Sequence, residues 1–261
     1  MKQTLSLYVP GNSFVHKVSP LTKLLFVFVV IISSYLLSSL PALGVLFLLP
    51  IVLLLLAGVF RRSLPIFLVS FVAILTILVV QGLFYTGNQD LVFQLGAVKF
   101  YQQGLYFGGR ICLRLLILIS AFSLIIFTVD PEELVASVVK RGLSPRLGYV
   151  ILSVFQIIPQ MMATVATITD AQRSRGMKSG GNVLARLKGI FPLIGPAVMN
   201  SLIATRERSM ALEVRAFSRK GRHSFIREEK KYLGGKALPI CLWLCLAAVI
   251  VWRIFGGLLN G

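Results

Sequence analysis

Between Lys23 and Arg61 the chain carries no charged residue, so Leu24 to Phe60 forms a run of 37 apolar and small polar side chains. As one helix, rising ~1.5 Å per residue, the run would reach roughly 55 Å, well beyond a hydrocarbon core of about 30 Å. Lipid offers no water to a bare backbone, so the run must be helical and must fold back on itself. Pro41, close to Ser38, Ser39 and Gly44, is the expected place of reversal, because proline removes a backbone donor. The whole chain has this character: 56% of its residues are hydrophobic, 14% are charged and the mean hydropathy is +0.85. Such a composition excludes an ordinary soluble domain.

Apolar segments at roughly 21–40, 41–60, 63–84, 105–129 and 237–256 are each long enough to span. They predict an all-α polytopic membrane protein of about five transmembrane helices. The basic residues orient it. Lys2, Lys17 and Lys23 precede the first span, and Arg61 and Arg62 separate the second from the third. Residues 130–235 carry 17 Lys and Arg against 8 Asp and Glu, a net of +9 (17 minus 8). Placing all three groups inside puts the N-terminus in the cytoplasm and the C-terminus outside, in a multi-pass protein. The organisation expected is a membrane domain over 1–129, a cytoplasmic or interfacial region of long helices over 130–235, and a final span over 236–261. The polar first twenty residues lack a short apolar core and a small-residue cleavage site, so no cleaved signal peptide is expected.

Two more apolar stretches, about 148–169 and 189–205, lie within the basic region. If both crossed, Arg173, Arg175, Lys178, Arg186 and Lys188 would occupy a short outer loop, which the positive-inside rule disfavours. Pro192 and Pro196 also interrupt the second. Both are read as helices at or just below the membrane surface, apolar because they bury themselves against other helices.

Excess positive charge alone would only fix orientation. A repeated pattern says more: Ala171-Gln-Arg-Ser-Arg175-Gly176-Met177 and Ala211-Leu-Glu-Val-Arg215-Ala216-Phe217. Each has an alanine, an arginine four residues on, a small residue and a large apolar one. Gly176 is a plausible C-cap before the polar run 178–182, and the second pattern ends an apolar stripe of Met199, Ile203, Met210, Val214 and Phe217 before the basic run 218–222. An arginine at a helix C-terminus is favoured by the dipole and projects a planar fork of donors, which suits an acidic groove on a partner.

With Tyr8-Val-Pro-Gly-Asn-Ser13, His16-Lys17, Pro20, Thr22-Lys23-Leu24, Thr128 and Pro131-Glu-Glu-Leu134, these signatures resemble the transmembrane T component of energy-coupling factor transporters, from about Tyr8 to Arg222. The resemblance implies a membrane scaffold subunit of an ABC importer for vitamins or transition metals. Its coupling helices would join a pair of ATP-binding cassette subunits, which bind ATP and Mg, to a small substrate-binding membrane protein, the S component. The docking motifs it implies are Ser174-Arg175-Gly176 and Val214-Arg215-Ala216. Two departures stand out: Ser174 precedes the first arginine where an alanine is common, and Ser19 precedes Pro20 where an aspartate is common. Small, adaptable residues on the helix bodies, Met161, Met162, Ala163, Ala166 and Met199, would offer the S component a surface that slides and repacks. Core packing inside the subunit is their structural alternative.

A stand-alone secondary transporter is the rival reading, and such carriers place ionisable groups in mid-membrane. No Asp or Glu lies in any expected span, but Arg110 and Arg114 share a face of the fourth. An intramembrane arginine is a functional hypothesis, with snorkelling or pairing within the bundle as its alternatives. A membrane enzyme would need a nucleophile, a metal or an acid/base pair. Asp130, Glu132 and Glu133 instead look like first-turn residues beside Pro131, and His16 and His223 are isolated. Cys112, Cys241 and Cys245 lie in apolar segments as small hydrophobes. No phosphate-binding Gly-x-x-x-x-Gly-Lys-Ser/Thr loop occurs, so no cofactor is expected in this chain and ATP would act in trans. Topology and docking account for a pI near 10.5, so no nucleic-acid partner is expected.

Overall fold

The computed structural model describes residues 8–11, 13–85, 91–95, 98–176, 183–217, 232, 235 and 237–259. Lys2, Asp90, Met177, the runs 178–182 and 218–222, and His223 lie outside the described residues. The chain divides into two units, Leu7–Ser137 with Glu229–Gly261, and Val138–Glu228.

In the first unit, Ser19 caps α1 (Pro20–Leu36): its hydroxyl accepts the Thr22 N–H, and Pro20 sits where no amide donor is needed. The chain reverses through residues 37–39, and Pro41 lies in the first turn of α2 (Leu40–Leu56) instead of at the bend. Both helices have 17 residues, ~25 Å of rise, and so are shorter than the segments read from hydropathy. α3 (Phe60–Phe84) and α4 (Gln102–Thr128) are longer. Between them β1 (Leu91–Leu95) and β2 (Val98–Tyr101) pair antiparallel, with Leu91 opposite Tyr101 and Phe93 opposite Phe100. This hairpin is an addition to the helical fold expected, and its β-branched and aromatic residues suit it. α5 (Pro131–Lys140) follows α4 directly, with Asp130 Oδ1 accepting the Glu132 N–H at 3.0 Å, as its acidic start implies. α4 is central in this unit and packs on α1, α2 and α3, while α8 (Ala237–Leu259) packs on α1.

Leu43, Leu54, Val59, Ile117 and Leu124 are fully enclosed in the core, together with Ser34, Ser63, Ser120 and Ser123. Ser34, Ser63 and Ser120 donate to carbonyls one turn back in their own helices, so they admit close packing without an unpaired hydroxyl. At Gly108 an added Cβ would lie 3.2 Å from that of Gln81, which shows how closely α3 and α4 approach.

The second unit pairs α6 (Pro145–Ser174) with α7 (Val183–Val214). α7 runs unbroken through Pro192 and Pro196, where the sequence suggests an interruption. The expected burial of these helices is also corrected. Gly148 is the buried residue of α6, and Phe155, Met162, Met199 and Leu202 are exposed, with Val214 at 88%. By length and composition α3, α4, α6 and α8 can cross a membrane, while α1 and α2 are shorter apolar helices. α6, read from charge as interfacial, therefore meets the length and composition of a span. The molecule is a polytopic helical membrane protein.

Candidate functional site

Both arginine signatures end a helix, each with a left-handed small residue after its arginine. Arg175 donates its N–H to the Ala171 carbonyl, as Arg215 does to that of Ala211, each at 3.2 Å. Gly176 follows at φ +90° and Ala216 at φ +52°. Their N–H groups reach back to the carbonyls of Arg173 and Glu213, both at 2.9 Å. At the second end Phe217 adds a bond to the Leu212 carbonyl at 3.0 Å, and its ring lies 5.4 Å from that of Tyr149. At the second end the bonds from Ala216 and Phe217 together make a Schellman turn, in which the residue after the cap is left-handed, and Gly176 makes the corresponding inner bond at the first end. The small residue of each signature is thus the left-handed position. Glycine takes it freely, whereas at Ala216 the Cβ opposes it by about 1 kcal/mol.

The turn explains the small residue of each signature but not the arginine side chain. Arg175 and Arg215 are exposed, and neither guanidinium meets an acceptor among the described residues. Ser174, by contrast, turns its hydroxyl back to the Asp170 carbonyl, and Val214 lies bare beside its arginine. Each arginine stands at the negative end of its own helix, which stabilises its cation.

Along the helix bodies, α6 and α7 enclose an open cleft of about 340 Å³ with Gln160, Met161, Asn200, Ser201, Glu207 and Arg208 among its walls. Arg208 Nη2 donates to Gln160 Oε1 at 2.8 Å and ties the helices together. Met162, Ala163, Ala166 and Met199 are exposed, as is Met161 on the rim. Among the described residues no group of three or more His, Cys, Asp and Glu could hold a metal ion.

The N-terminal motif residues gather elsewhere, within the first unit. His16 Nδ1 lies 2.7 Å from Ser13 Oγ, its Nε2 lies 3.0 Å from the Val9 carbonyl, and Val9 donates to the Phe127 carbonyl at 3.0 Å. Burial pushes the His16 imidazole below its ordinary pKa, the Lys23 charge adds to this, and the bond to Val9 opposes both. An added Cβ at Gly11 would meet the His16 ring at 2.8 Å, so this position has no room for a side chain. Lys23, 4% exposed, donates from Nζ to the Thr128 carbonyl at 2.8 Å. These residues form a strap that holds the start of α1 against the α4–α5 elbow. Lys23→Met strands the Thr128 carbonyl, a loss of about 1–3 kcal/mol. Hydrogen exchange at Val129 and Leu134 should then quicken roughly tenfold or more, and unchanged protection there would contradict the strap.

Arg114, near the middle of α4, donates from Nε to the Ser34 carbonyl at 3.0 Å and from Nη2 to that of Leu37 at 3.3 Å. Its guanidinium also faces the Tyr35 ring at 5.4 Å. It therefore caps the C-terminus of α1 from a neighbouring helix and supplies a cation to that dipole. No hydropathy pattern reveals such a contact, since the partners are backbone atoms. Arg110 does not share these carbonyls.

The fold defines the class: a multi-pass helical membrane protein with two like-built arginine tips. Residues 11–225 match the family described as cobalt transport protein, CbiQ, and the chain belongs to that family. It is also similar along nearly its whole length to curated proteins named energy-coupling factor transporter transmembrane protein EcfT. That of Clostridium kluyveri is 26% identical over 264 residues, covering 97% of this chain and 98% of the relative. That of Bacillus subtilis is 27% identical over 254 residues, covering 94% and 95%. That of Acidaminococcus fermentans is 28% identical over 266 residues, covering 97% of each.

Proposed function

We propose that this chain is the T component of an energy-coupling factor importer, the non-catalytic scaffold that passes the work of two ATP-binding cassette subunits to an S component. The observation that carries the docking role is the pair of similar helix ends, each presenting an exposed arginine side chain that its own turn does not use. The names of the EcfT relatives favour this reading over a stand-alone carrier. ATP and Mg would be bound by the ATPases, and vitamins or transition metals are the substrate class in view. The N-terminus is assigned to the cytoplasm of a bacterial or archaeal cell, with α6 and α7 at the inner surface as coupling helices. No nucleic acid is involved.

Ser174-Arg175-Gly176 and Val214-Arg215-Ala216 dock into acidic grooves, one on each ATPase. Closure of the ATPase pair moves the tips relative to one another, and α6 and α7 carry the shear to their exposed apolar faces. Met161, Met162, Ala163, Ala166 and Met199 meet the S component there. Reconstitution tests the whole reading. Vesicles holding this chain, both ATPases and the S component should accumulate substrate only with ATP and Mg inside the ATPase-facing compartment. Uptake by this chain alone, driven by an ion gradient, would instead establish a secondary carrier.

A further inference from the structure

The first unit has a step at its hairpin end. α1 and α2 have 17 residues each, against 25 in α3 and 27 in α4. Arg114, bonded to the Ser34 and Leu37 carbonyls, marks where α1 stops along α4. Arg110 lies four residues earlier, ~6 Å nearer the hairpin, and so stands beyond the end of α1. It is nonetheless still at the level of α3. The rings of Phe107, ~4.5 Å further out, and of Tyr85, just past α3, are 4.9 Å apart.

In this recess the Arg110 guanidinium lies 5.2 Å from the Tyr106 ring centre and 5.3 Å from that of Phe107. Its Nε is buried without a hydrogen-bond partner, and no carboxylate pairs with it among the described residues. Arg114, one turn on, makes two hydrogen bonds, so the contrast is specific to Arg110. A cation within a helix able to cross the membrane calls for acceptors, and where no backbone carbonyl meets it, as two meet Arg114, an anion supplies them best. The surroundings favour a particular one. Helices shorter than the hydrocarbon core draw headgroups inward, aromatic rings sit at the headgroup level, and Tyr106 is exposed on this side.

We propose that Arg110, flanked by Tyr106 and Phe107 above the short α1–α2 turn, binds the phosphate of a phospholipid in the leaflet at the hairpin end, opposite Arg61 and Arg62. The guanidinium donates to phosphate oxygens, and the acyl chains lie over the exposed faces of the short helices.

Native mass spectrometry of the full chain in mild detergent tests this. Phosphatidylglycerol and a phosphate-free diglucosyl lipid are offered in parallel. The wild type should retain phosphatidylglycerol and not the glycolipid. Arg110→Leu should cut that retention at least tenfold, with Arg110→Lys between the two, while Arg61→Gln with Arg62→Gln leaves it unchanged. Should Arg110→Leu fail to fold, thermal stabilisation of the wild type by each lipid replaces it, with phosphatidylglycerol alone expected to raise the melting temperature. Equal retention in Arg110→Leu or an equal effect of the glycolipid would overturn the proposal. So would occupancy by inorganic phosphate alone, or loss of a copurifying protein with lipid unchanged.

Discussion

Reversing both tip charges, Arg175→Glu with Arg215→Glu, leaves the chain inserted and helical but abolishes its recovery with the ATPases. The fold should survive because both side chains are exposed and the turns that hold them are made by backbone atoms. An acidic side chain at a helix C-terminus opposes the dipole by only about 0.3–1 kcal/mol. Docking loses far more. Removing one partner of a desolvated charge pair weakens binding by about 2–5 kcal/mol, roughly thirtyfold or more per tip, and reversal adds repulsion from the acidic groove. Each single variant should bind more weakly while still assembling at high concentration. Co-purification through a tag on the ATPases checks this, and stoichiometric ATPase on the double variant would remove the docking role.

Arg114→Leu should cause a large loss of intrinsic stability in the first unit. It strands the Ser34 and Leu37 carbonyls at the end of α1, where each unpaired group costs about 1–3 kcal/mol. The cation that α1's dipole faces disappears as well. Relief from desolvating the guanidinium works the other way, so a net of about 2–4 kcal/mol is expected. Arg114→Lys should recover part of it, since an ammonium can reach one carbonyl but lacks the fork to hold two. Thermal unfolding in detergent checks the order wild type, Lys, Leu. A leucine variant as stable as the wild type would mean that the cap is dispensable.

Much of this fold is legible because lipid imposes a coarse rule on sequence. The uncharged run after Lys23, the long span containing Arg114 and the acidic start of α5 follow from polarity and capping chemistry. Gly176 is readable as a stop because glycine is the usual left-handed residue. Ala216 is not, since nothing local marks an alanine for that conformation except its alignment with Gly176 forty residues earlier. The exact ends of α1 and α2 escape hydropathy because Leu37, Ser38 and Ser39 are too few to interrupt an apolar window, and α1 itself carries Ser33 and Ser34. The hairpin escapes because a five-residue strand leaves only a faint alternation. Bare faces on α6 and α7 look like core residues to any pattern, since an exposed apolar face has the composition of an interior. The roles of Lys23 and Arg114 were hidden for a different reason. Each bonds a carbonyl oxygen, and every residue type brings one.

Lys23 and the Thr128 carbonyl are 105 positions apart in the chain. At about 5–20 residues per second, a ribosome needs roughly 5–20 s to make what separates them. In the proposed orientation, the lysine is throughout that interval a charge at the mouth of the first helix, of the kind that favours retention on the cytoplasmic side. Once the elbow has been synthesised, the same ammonium leaves the water and becomes a buried rivet. One side chain thus serves biosynthesis and architecture in succession, and a substitution there should be judged by which end of the chain comes to face the cytoplasm as well as by how firmly the finished molecule holds.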